Sequence, residues 1–114
     1  MAYDEKLAVR VRSELNDSED IMELKMMGGL CFMVRGNMFA GVDKSDMFVR
    51  MDRSDVERAL RRKHAIPFEV GGKVTTGYVR VKREGVRDQR NLRSWLLPAM
   101  NWAATLPPKK KTNS

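Results

Sequence analysis

Reactive side chains are scarce in this sequence. Its 114 residues include one cysteine, Cys31, and one histidine, His64. A single cysteine leaves no intramolecular disulfide to form and suits a reducing, cytoplasmic setting. A lone histidine cannot build a multi-histidine metal site. No apolar run reaches the length of a membrane span, and the opening MAYDEKLAVRV carries acidic residues early, so neither a signal peptide nor a transmembrane helix is expected. Gly28-Gly29 lacks both the G-x-G-x-x-G pattern and the lysine and hydroxyl of a P-loop, which argues against phosphate cradling. Asp17, Glu19 and Asp20 open no calcium-loop pattern, and no carboxylates pair in the manner of a glycosidase. No metal, cofactor or small-molecule substrate is expected.

What is present suffices for one domain. Apolar residues make up 42% and charged residues 32%, a balance typical of globular chains. The net charge of +7 is unevenly placed: residues 1–52 carry 7 Lys+Arg against 10 Asp+Glu, net −3, and residues 53–114 carry 15 against 5, net +10. A basic half attracts nucleic acid, acidic protein or anionic lipid, and it is equally well read as a solvated face. KKKTNS, residues 109–114, follows Pro107-Pro108 and is expected to be a disordered basic tail to a domain spanning 1–108.

Along the chain, Tyr3, Leu7, Val11 and Leu15 recur every four residues and predict a helix. Asp4 and Glu5 suit its N-terminus, and Asp17 to Asp20 forms a polar connection. Residues 25–51 then hold six of the nine methionines. Strands are expected at 21–27, 30–35, 38–43 and 47–51, with Gly36-Asn37 and Lys44-Ser45 as two-residue hairpin loops. Counting from those loops puts Cys31, Met33, Met38, Ala40, Val42, Met47, Val49 and Met51 on one face, beneath the helices. Leu30, Phe32, Val34, Phe39 and Phe48 fall on the other, with Asp43 and Arg50. Ser54 and Glu57 fit a capping box for a second helix, whose end gathers Arg58, Arg61, Arg62 and Lys63. A second strand pair follows at 68–70 and 76–82, with valines alternating against a basic row. Asp88 caps a last helix with an apolar stripe from Leu92 to Leu106, in which Pro98 is expected to cause a kink or a split. The result is an α+β two-layer domain, a mainly antiparallel sheet with helices on one face.

The two candidate nucleophilic or basic groups have plain alternatives. Cys31 alternates with large apolar residues in a strand, where a thiol acts as a small buried hydrophobe of raised pKa. His64 follows a basic helix end and suits a capping or surface role. The methionines interleave with Phe, Val and Leu and read as adaptable packing rather than as copper ligands.

The run MMGGLCFMVRGNMFAGVDKSDMFVRM resembles the TfoX N-terminal domain family. Met27, Gly28, Gly29, Phe32, Gly36, Met38 and Val49 stand at the family's positions, as do Thr76-Gly77-Tyr78, the helix from Leu92 to Trp95 and Leu106-Pro107. The resemblance spans roughly residues 3–108. It implies a fold of secretion-chaperone type, α-β(3)-α-β(2)-α, and a setting in bacterial transcription or competence regulation. It supplies no catalytic motif, and Pro98 departs from it. The second domain of the family's namesake is not expected here.

Two functions are weighed ahead of an enzyme, which is not expected. The first is a non-catalytic regulatory module that binds a protein partner or a second copy of itself through the apolar row Leu30, Phe32, Val34, Phe39 and Phe48. The alternative is weak, backbone-directed nucleic-acid binding through Arg61, Arg62, Lys63, Arg80, Lys82, Arg83, Arg87, Arg90 and Arg93, with Lys109–Lys111 in the tail.

Overall fold

A computed structural model describes residues 3–15, 20–26 and 28–108. The connection at 16–19, Met27 and the basic tail at 109–114 lie outside the described residues. Helix α1 (Glu5–Glu14) is followed by strands β1 (Ile21–Met26), β2 (Gly29–Val34), β3 (Asn37–Asp43) and β4 (Asp46–Arg50). Helix α2 (Arg53–Ala59), strands β5 (Ala65–Val70) and β6 (Lys73–Val81), a 3-10 turn (Arg83–Val86) and helix α3 (Gln89–Ala103) complete the domain. The strands form one antiparallel sheet in the order β1-β2-β3-β4-β6-β5. This is the expected two-layer α+β domain. The run between α1 and α2 holds four strands, one more than the α-β(3) formula that the resemblance implied.

Each helix starts on a carboxylate that serves otherwise orphaned backbone N–H groups. Asp4 accepts from the N–H groups of Lys6 and Leu7 at 2.9 and 3.2 Å, and Asp88 accepts from Arg90 N–H at 2.8 Å. In α2 the cap is Asp52 rather than Ser54: its carboxylate accepts from both the N–H and the hydroxyl of Ser54, at 2.9 and 2.8 Å. Ser54 therefore sits inside the first turn. Helix α3 runs as one element through Pro98. Pro98 lies on the exposed side, and the carbonyl it cannot serve belongs to Ser94, also exposed.

The core lies between the sheet and the helices. Val11, Phe32, Phe39, Ala40, Val42, Met47, Val49, Val79, Val81, Leu92 and Leu96 are all fully closed off there. This corrects the face assignment of β2. Val34 pairs with Asn37, so the hairpin loop is Arg35-Gly36, one residue earlier than Gly36-Asn37. Both loop residues have positive φ, 52° and 83°, as a primed two-residue turn requires. Moving the loop by one residue turns Leu30, Phe32 and Val34 under the helices and Cys31 and Met33 away from them. The register then shifts between the pairs Phe32↔Ala40 and Met33↔Met38. Phe39 is the extra residue of that bulge and is buried with the core. Beyond the bulge, Ala40, Val42, Met47 and Val49 face the helices as expected.

Candidate protein-binding face

The side of the sheet away from the helices is partly apolar and partly charged. At its centre Gly41 gives β3 no side chain, and the ring of Phe48 on β4 lies across the vacant position. A Cβ at Gly41 would overlap two carbons of that ring. Phe48 stacks on Phe68 of β5 with ring centroids 4.5 Å apart and planes at 21°. Tyr78 of β6 closes the group at 6.2 Å from Phe48 and 5.8 Å from Phe68. Met26 and Met38 pack around these rings, with Cys31 buried beneath them. An apolar cleft of about 230 Å³ opens over this cluster between Met26 and Val70. Burial pushes the Cys31 thiol up from its ordinary pKa, and the charge of Asp43 adds to the effect. Burial also raises the Tyr78 hydroxyl. Both groups are therefore held neutral, which suits packing rather than nucleophilic chemistry.

Beyond the cleft the apolar surface continues outward. Met22 and Leu24 on β1 are each 47% exposed, and Ile66 and Val70 of β5 are exposed too. The alternation Met22-Leu24-Met26 placed three apolar side chains on one face of β1, and antiparallel pairing with Met33, Cys31 and Gly29 makes that face the open one.

Of the expected interface row, Phe48 alone reaches the open face. Leu30, Phe32, Val34 and Phe39 pack into the core on the helix side, so they cannot form a contact surface on the open face. Phe68 and Tyr78 take their place. Phe68 alternates with Ile66 and Val70 along β5, and the register shift beside it falls in β6, where the run from Val74 to Val79 stands against the shorter run from Pro67 to Glu69.

The basic residues divide into engaged and open groups. Arg80 emerges on the open face, where its guanidinium reaches Asp43 at 2.9 Å and Asp46 at 3.0 Å. Burial works against its charge, but those carboxylates hold its pKa above the ordinary arginine value. Asp46, 6% exposed, also accepts from Lys82 Nζ at 3.3 Å and from the Arg83 backbone N–H at 2.9 Å. Arg93 is tied to Glu14 at 2.9 Å. Arg62 lies flat over Trp95, 3.8 Å from the ring centroid, and donates to Ser94 Oγ. Much of the basic row is thus spent on holding elements together. Arg61, Lys63, Arg87 and Arg90 are exposed, with no carboxylate partner among the described residues.

His64 is a turn residue: its φ is 71° and its carbonyl accepts from Lys82 N–H at 2.9 Å. Among the described residues no helix is long and apolar enough to cross a membrane.

One layer of helices over one face of a six-stranded antiparallel sheet, with an aromatic cleft on the other face, defines a two-layer α+β domain with an uncovered side. The chain belongs to the TfoX N-terminal domain family, whose model matches residues 13–103. No curated protein and no solved structure matches it.

Proposed function

We propose that this chain is a non-catalytic interaction module of a regulatory pathway, which receives an apolar segment of a partner protein on the open face of its sheet. The observation that supports this reading is the cleft over Phe48, Phe68 and Tyr78, continued by exposed Met22 and Leu24. Contiguous exposed apolar surface of this kind marks contact sites. Methionine at the rim provides side chains that repack around different partners. The test is site-specific photocrosslinking in the native cell, with the photoreactive residue at Met38 on the open face or at Glu57 on α2. A discrete adduct with another protein from position 38, absent from position 57, is the expected result. No adduct at 38, or the same adducts at both positions, would contradict it.

A second reading is weak nucleic-acid binding. The observation favouring it is the exposed, unengaged set Arg61, Lys63, Arg87 and Arg90. Contacts of that type go to phosphates and weaken steeply with salt. In a mobility-shift titration they give binding at about 50 mM salt that fades by about 200 mM. Absent or salt-insensitive binding removes this reading.

A further inference from the structure

We propose that β1 is a self-complementary edge, through which two copies of the chain join their sheets antiparallel about a twofold axis at Leu24. The sheet has two outer strands, and they are guarded differently. On β5, Pro67 leaves the free edge without a backbone donor, a device that discourages further pairing. On β1, Ile21 to Met26 pair with β2 without interruption, no proline intervenes, and Met22, Glu23, Leu24 and Lys25 are all exposed.

The register follows from the backbone. Asp20 C=O accepts from Arg35 N–H at 3.2 Å, so residues 20, 22, 24 and 26 direct their main-chain groups toward β2. By the antiparallel alternation, residues 21, 23 and 25 direct theirs to the free edge. A second β1 strand therefore pairs odd residues with odd. One such register sets Glu23 against Glu23 of the other copy, and another sets Lys25 against Lys25. The register centred on Leu24 sets Glu23 against Lys25 twice, with Leu24 against Leu24 and Met22 against Met26. Opposite charges then meet on the helix side and apolar side chains on the open side. Cross-strand pairs of both kinds favour association. A charged edge strand commonly repels its like, whereas the two opposite charges of β1 face each other under the twofold. Glu23 is already positioned by Arg12, at 2.6 Å. The joined sheet would carry both clefts on one continuous open face. This edge pairing is independent of the cleft reading, because the strands join whether or not the cleft is filled.

Sedimentation equilibrium on the full chain, at concentrations up to about 1 mM, is the test, and circular dichroism confirms that each variant is folded. The wild type is expected to reach twice the chain mass. Glu23→Lys alone and Lys25→Glu alone each place like charges opposite one another, and each is expected to weaken self-association about tenfold. An equimolar mixture of the two variants restores opposite pairs and is expected to give a heterodimer. In a Cys31→Ser background, Leu24→Cys is expected to form an intermolecular disulfide on mild oxidation, since facing residues of a non-hydrogen-bonded pair lie within disulfide reach. A wild type that stays monomeric throughout, or folded single-charge variants that do not combine on mixing, would overturn the proposal. A photocrosslink at Met38 to a different protein, found together with a monomeric wild type, would leave the cleft reading standing and remove this one.

Discussion

On the helix side of the sheet, Phe32, Val42, Val49, Val79 and Val81 are closed off completely beneath the helices. On the other side, a small aromatic cluster shields Cys31, and the apolar row of β1 beyond it stays half exposed. The same strands build both faces, and alternation alone makes their side chains comparably apolar. Hydrophobicity therefore does not tell the two apart. What distinguishes them is cover. Side chains on the helix face contribute to stability by exclusion from water, whereas those on β1 retain much of the free energy that a partner would recover.

The sharpest way to break this comparison is to cut into each face in turn. Phe32→Ala removes a fully buried ring from the helix face and is expected to cost about 3–5 kcal/mol, read from the midpoint of a urea transition. An unchanged midpoint would mean that Phe32 does not face the helices. On the open face, Gly41→Ala would drive a methyl group into the Phe48 ring and toward the Leu30 carbonyl, 2.9 Å from the added carbon. The expected cost is about 1–3 kcal/mol, with altered near-ultraviolet circular dichroism as the stack moves.

A smaller effect concerns access. Cys31 in the native protein is expected to react slowly with iodoacetamide at neutral pH, being buried with its pKa raised. Phe68→Ala uncovers it and should speed labelling by about tenfold or more, given the dependence of thiol reactivity on exposure and ionisation. Fast labelling of the unaltered protein would show that the cluster does not close. The smallest effect is electrostatic. Hydrogen bonds from Arg93 and then Gln89 hold the Glu14 carboxyl below its ordinary pKa. The stability it contributes is present above the ordinary carboxylate range and is lost as pH falls through the lowered folded-state value. Glu14→Gln should flatten that part of the acid limb, by about 1 kcal/mol or less. An identical acid limb in the variant would show that the pair between α1 and α3 contributes nothing.

The sequence showed the strands clearly and the faces less well. Element positions came from alternation and turn residues, and β1, β3, β4 and the caps at Asp4 and Asp88 lie where those signals point. The faces depended on one loop. Arg35 occupies a left-handed position that glycine or asparagine more often fills, so counting from Gly36-Asn37 began one residue late. The bulge at Phe39 then restored the count for the rest of β3, which concealed the slip. Phe68 alternates visibly with Ile66 and Val70, but that pattern does not say which face of the sheet the row joins. Asp52 was within reach: an acidic residue three positions before Asp55 is as good a cap as Ser54, and only its contact with both donors of Ser54 decides between them. The pairing of Arg80 with Asp43 and Asp46 spans residues far apart in the chain, so the net charge of the C-terminal half overstated the cations left open.

The central claim is that the apolar row of β1 is presented rather than packed, and equilibrium urea denaturation of the Met22→Ser, Leu24→Ser double variant tests it most directly. At low micromolar protein, where self-association adds nothing to stability, the variant is predicted to unfold within about 0.5 kcal/mol of the wild type. A loss approaching that of Phe32→Ala would contradict the account by showing that these side chains belong to a covered core.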